Sequence, residues 1–294
     1  MRNQIIFSGK VLFLALIAFI AMSLVSIIIP LPEILKTSLS GSDLLKTVMM
    51  LLLMHVILSI VISYVLIRSN IYGIKLFVFL VWIIFGINTL VMQLDTIIFI
   101  NAFPGITVVD IGYLVLGSFI HTSVVVPVAM LIFNKWEKVD FVPGNKQRFT
   151  NLYAKILILA IIFVIIYFAF GITIPMQFPG VKDFYKDIMI QIQNNLFLFI
   201  ILQFFRGVLW VIAGLPLFKL FEKKRDVVIA YVLCYSIFSS VGLLLPNPIM
   251  PAHVRFAHCI EIVISMALFG LINALVLNFE YKKKIKNTAE CRAI

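Results

Sequence analysis

Arg255, His258 and Glu261 stand three residues apart in "PNPIMPAHVRFAHCIEIVISMALFG" (residues 246–270), a run apolar enough to cross a bilayer. An arginine offers a planar fork that binds two oxygens of a carboxylate or phosphate. A histidine beside a glutamate can hold or pass a proton near neutral pH. Neither belongs in hydrocarbon without a partner, because a charge at mid-membrane costs at least ~2.5–3.5 kcal/mol on insertion scales. At ~100° per residue, Arg255, His258, Glu261, Ser265, Phe269 and Asn273 share one side of a helix.

Arg206 lies in a second such run, "LQFFRGVLW", and His121 and His55 in two more, "GSFIHTSVVVP" and "LLLMHVILS". Counted from the breaks at Pro251 and Pro216, Glu261 and Arg206 each sit ~15 Å from a membrane surface. Matched depth and opposite charge predict an Arg206–Glu261 ion pair, or one ligand touched by both. Asp110, Tyr113, Gly117 and His121 share a helix face, and Asn195 adds an amide in the run that holds Arg206. The candidate binding residues are therefore Arg206, Glu261, His258, Arg255, His121 and Asn195. No cofactor is expected. The alternative is a metal centre drawn from His55, His121, His258 and Glu261, as zinc or, between His55 and His121, as haem.

These residues are positioned by a membrane scaffold. The chain has 294 residues, 63% hydrophobic and 13% charged, about half the charge of an ordinary soluble domain. Eight runs are long enough to span ~30 Å of hydrocarbon, near 10–30, 45–67, 72–94, 110–133, 152–174, 190–217, 227–246 and 251–279. The expected fold is an all-α polytopic bundle, one transmembrane domain over 1–280 with a basic tail over 281–294. The first run, "VLFLALIAFIAMSLVSIII", exceeds the ~7–15 apolar residues of a signal peptide and reads as a retained helix.

With the N-terminus inside, 18 of the 24 basic residues fall on the inner side and 4 on the outer, Lys36, Lys46, Lys182 and Lys186. Arg206 and Arg255 are within membrane runs. Basic residues mark cytoplasmic loops, so both termini are expected in the cytoplasm. The net charge of +11 then reflects topology and contact with anionic lipid headgroups, not nucleic acid. Short loops and the lack of N-x-[ST] sequons suggest a prokaryotic plasma membrane. Cys234, Cys259 and Cys291 form no C-x-x-C pair.

The connections "QLDTIIFINAFPGITVVD" and "LLPNPIMPA" are apolar and broken by Pro and Gly, as a cap folded onto the bundle would be. Four helices per half would make two parallel halves, an arrangement found among transporters. No residue pattern recurs between them. There is no G-x-x-x-x-G-K-[ST], H-E-x-x-H or G-x-S-x-G, which disfavours ATP-driven transport by this chain alone, zincin proteolysis and serine hydrolysis. The leading expectation is a permease for a small, possibly anionic solute. The alternatives are an accessory subunit of a membrane complex, whose polar cluster only fixes helix register, and an intramembrane metal or haem enzyme.

Overall fold

The computed structural model describes residues 2–36, 44–100, 105–137, 151–246 and 249–278. Eight helices are long and apolar enough to span a membrane, and no strand occurs among the described residues. We number these helices α1 (Arg2–Ile28), α2 (Leu44–Arg68), α3 (Gly73–Ile98), α4 (Val108–Ile132), α5 (Leu152–Thr173), α6 (Leu196–Gly214), α7 (Lys224–Ser240) and α8 (Ala252–Asn278). The chain is a multi-pass membrane protein. The basic tail expected over 281–294 lies outside the described residues.

Where the helices start and stop follows local chemistry. Thr107 and Asp110 close a capping box at the head of α4: the Thr107 hydroxyl accepts from the Asp110 amide, and the Asp110 carboxylate accepts from the Thr107 amide. Asp110 is thus a cap and takes no part in a site with His121. The run expected at 190–217 is not one helix. It breaks at Asn195, and Lys186–Asn194 forms a separate helix with no buried residue. Asn195 is exposed and donates to the Gln191 carbonyl at 3.5 Å, so it falls outside the buried polar set.

Helix α3 runs four residues past its expected end, to Ile98. It also carries a π turn over Gly86–Leu90. Of the cap expected over 93–110, residues 93–98 are instead the end of α3, and the middle of the connection, 101–104, lies outside the described residues. A different segment folds back. Phe178, Val181, Phe184 and Tyr185 pack with Met250, Val254 and Ala257 in a small core of their own, over the start of α8. Gly180 permits this by taking φ 75°, with His253 so close that a Cβ would meet its Nε2 at 3.0 Å.

Packing joins the helices into a ring with the order α1–α2–α7–α8–α5–α6–α3–α4, closed by α4 against α1. The π turn of α3 also reaches α7 across the middle. Adding four to each helix number maps every neighbour in this ring onto another: α1–α2 becomes α5–α6, α4–α1 becomes α8–α5, and α2–α7 becomes α6–α3. The order of neighbours is therefore unchanged when the first four helices are exchanged for the last four. Each half holds an even number of spans, so both cross in the same sense. The start of α1 and the ends of α2, α4, α6 and α8 lie at one end, here called the basic end. The connections after α1, α3, α5 and α7 lie at the other, low-charge end.

Candidate functional site

Every polar residue of α8 expected on one face is turned inward: Arg255, Glu261, Ser265 and Asn273 are buried, and His258 is half-buried beside them. Glu261 is 6% exposed and both its oxygens are engaged. His258 Nδ1 lies 3.0 Å from Oε2, and the Ser265 hydroxyl donates to Oε1 at 3.2 Å. The His258–Glu261 contact read from the sequence is present.

The expected Arg206–Glu261 ion pair is not. Arg206 pairs with Asp95 of α3, Nη2 to Oδ2 at 2.5 Å. It also donates from Nη1 to Gln203 Oε1 at 3.2 Å and from Nε to the Val91 carbonyl at 3.4 Å. Its guanidinium lies over the Phe163 and Tyr167 rings of α5, at 5.7 and 5.8 Å from their centroids. The reason for the exchange of partners is the extension of α3. Val91 is level with Arg206, and one turn further along the helix Asp95 meets the extended side chain. A helix ending at residue 94 would have left that carboxylate in a loop.

The two pairs nevertheless form one neighbourhood. Asp95 is within electrostatic range of Arg206, His258 and Glu261. Tyr185, from the folded-back segment, approaches His258 with ring centroids 6.4 Å apart. Desolvation, with the Glu261 and Asp95 carboxylates nearby, pushes the Tyr185 phenol well above the usual range. The Gln203 side chain stands between the two charges: its Oε1 accepts from Arg206, and its amide faces the Asp95 carboxylate.

The other sequence candidates separate from this cluster. Arg255 donates from Nη1 to the Leu245 carbonyl at the low-charge end, which ties the α7–α8 connection to α8. Its Nε is buried without a hydrogen-bond partner. His121 and His55 meet each other elsewhere, between α1, α2, α3 and α4, with ring centroids 5.5 Å apart. The four residues proposed as a single metal centre are thus two separate pairs, His55 with His121 and His258 with Glu261. Among the described residues no three His, Cys, Asp or Glu side chains converge as metal ligands.

Sequence reading missed Asp95, Tyr167 and Tyr185. A signal for Asp95 was present, since "LVMQLDTIIFI" is apolar on both sides of it and continues the helix. Comparison with family models, with curated proteins and with solved structures finds no match for this chain.

Proposed function

We propose that the chain is a carrier that moves a small polar solute across the membrane, with Glu261 and His258 as its proton-responsive pair. What supports the reading above all is the repeat in helix packing. Two same-sense halves meet at a central helix that is interrupted by a π turn, and the ionisable cluster lies where α3 of one half reaches α6 of the other. Parallel repeats with discontinuous helices at their interface are a common construction for transporters. π turns recur at functional positions because they aim side chains that a regular helix would point elsewhere.

The solute class shifts with the geometry. Arg206, the guanidinium inside the cluster, is already paired with Asp95; Arg255, one turn from His258, gives Nη1 to a carbonyl and keeps a buried Nε without a partner. Arg206, Asp95 and Glu261 together bring two carboxyl groups to one guanidinium, with an imidazole beside them. That balance suits a proton, a cation or a neutral polar molecule better than an anion. A prokaryotic plasma membrane with cytoplasmic termini remains the expected setting. Lys10 and Lys75 at the basic end lie over aromatic rings there, positioned to reach anionic headgroups, whereas Lys135 is buried and donates to the Ser69 carbonyl.

The accessory-subunit reading is favoured by one observation, the full engagement of Arg206 with Asp95, Gln203, Val91 and two rings. Solvent access separates the two. In a variant free of native cysteines, Ser265→Cys and Asn273→Cys should react with small membrane-impermeant thiol reagents in sealed vesicles, from one face or from both. Both positions lie on the buried face below Glu261, and a carrier must open a watery path to them. No labelling of either position, in protein that folds normally, would mean a packed seam and would end the carrier proposal.

A further inference from the structure

The place in the ring that α6 and α8 hold in one half is held in the other by α2 and α4, which carry His55 and His121. There the chemistry is different. His55 is fully buried, and His55, Ser59 and Ile62 line one side of a cleft whose other walls include Asn88, His121 and Thr122. The two imidazoles meet edge to face with centroids 5.5 Å apart.

Both tautomers are fixed by backbone carbonyls. His55 Nδ1 is 2.8 Å from the Leu51 carbonyl, and His121 Nε2 is 3.0 Å from the Ala18 carbonyl of α1. A carbonyl accepts only, so each of those nitrogens carries the proton. A neutral His55 therefore presents a lone pair at Nε2, the tip of the ring, directed away from its own helix. That atom is buried with no hydrogen-bond partner. His121 presents its lone pair at Nδ1.

From this geometry we infer a binding site for a soft monovalent metal cation, Cu(I) or Ag(I), held between His55 Nε2 and His121 Nδ1. Metal-bound histidines usually donate their other ring N–H to a carbonyl or carboxylate, as both rings do here. Two imidazole nitrogens bound at ~2.0 Å lie at most ~4 Å apart, a spacing that ring centroids 5.5 Å apart allow. Two ligands of this kind suffice for a d10 monovalent ion. Zinc wants four, and the hydroxyls of Ser59 and Thr122 are not its usual donors. A haem is also a poor fit, because rings already in edge-to-face contact leave no slot for a macrocycle.

Copper binding to purified protein tests this independently of any transport. The native cysteines, which would bind Cu(I) themselves, are first replaced: Cys234→Ser, Cys259→Ser and Cys291→Ser. In anaerobic competition with a chromophoric Cu(I) chelator, this protein should take up one equivalent. X-ray absorption should show two nitrogen neighbours. His55→Asn and His121→Asn, which keep a polar side chain of similar size, should each weaken binding at least tenfold while the apo proteins melt as the parent does. His258→Asn should leave binding unchanged. The proposal fails if the parent takes no copper from the chelator, or if either histidine can be replaced in folded protein without loss.

Discussion

A buried arginine is held by whichever carboxylate the backbone delivers to it, and here that is Asp95 and not the equally deep Glu261. Removing one partner of a buried pair costs ~3–5 kcal/mol in soluble proteins. In a bilayer the loss should be smaller, since water can follow an orphaned charge. Arg206→Met and Asp95→Asn should each lower the melting temperature in detergent, and the double variant should lose clearly less than the two losses added, with a coupling of ~0.5–3 kcal/mol. Arg206→Met with Glu261→Gln should come much closer to additive. A coupling of equal size in both cycles would mean that Arg206 divides itself between the two acids. Glu261→Gln alone should be the mildest change, because a glutamine keeps an oxygen for the Ser265 hydroxyl. At this scale the sequence was informative about which residues are buried but not about who partners whom. The α8 face was legible because helical periodicity fixes which side chains share a side. Arg206's partner was not, because depth was counted from two prolines and one helix was taken to end too soon.

The π turn in α3 decides where two side chains point. In an uninterrupted α-helix Asn88 and Asp95, seven residues apart, would share a face. The extra residue in Gly86–Leu90 turns them apart, so that Asn88 lines the histidine cleft and Asp95 meets Arg206. Deleting Leu90 should let α3 regularise and swing Asp95 away from its partner. The expected result is a loss of stability similar to that of Asp95→Asn, with little further effect of Arg206→Met in that background. If Arg206→Met costs as much in the deletion variant as in the parent, the turn does not position the carboxylate. Close helix approach gives a second test. A Cβ at Gly270 would meet the Tyr231 backbone carbonyl oxygen at 2.6 Å, and one at Gly112 meets nothing within 4 Å. Gly270→Ala should therefore destabilise the α7–α8 contact, while Gly112→Ala should be neutral or slightly stabilising in detergent melts. Neither the π turn nor these approaches has a sequence signature. The first has no residue requirement of its own, and the second depends on which helices become neighbours.

For the whole molecule, the basic-residue split makes the sharpest prediction. A reporter fused after Arg292 should read cytoplasmic, and cysteine at Lys182 should label from outside intact cells. Cysteine at Val181, fully buried in the small core under the folded-back segment, should label far more slowly. Fast labelling of both would show that this segment does not cover the start of α8. Helix number and class were legible from apolar run length alone, since hydrocarbon thickness sets it. The repeat of four was not, because it resides in packing order. His55 and His121 in one half and Arg206 and Glu261 in the other share positions in the ring but no residue types.

In the carrier proposed above, the repeat in packing order exchanges the two halves without exchanging the two faces of the membrane, because both halves cross in the same sense. In a fold with inverted repeats, symmetry itself makes the state open to one face a counterpart of the state open to the other. Nothing in this bundle enforces such equivalence. Any conformation opening at the basic end and any opening at the low-charge end would be unrelated shapes, balanced by different side chains. The Asp95–Arg206 contact and the core around Val181 bear on the second of these. Directional bias is therefore a matter of individual residues in this protein, open to tuning one substitution at a time.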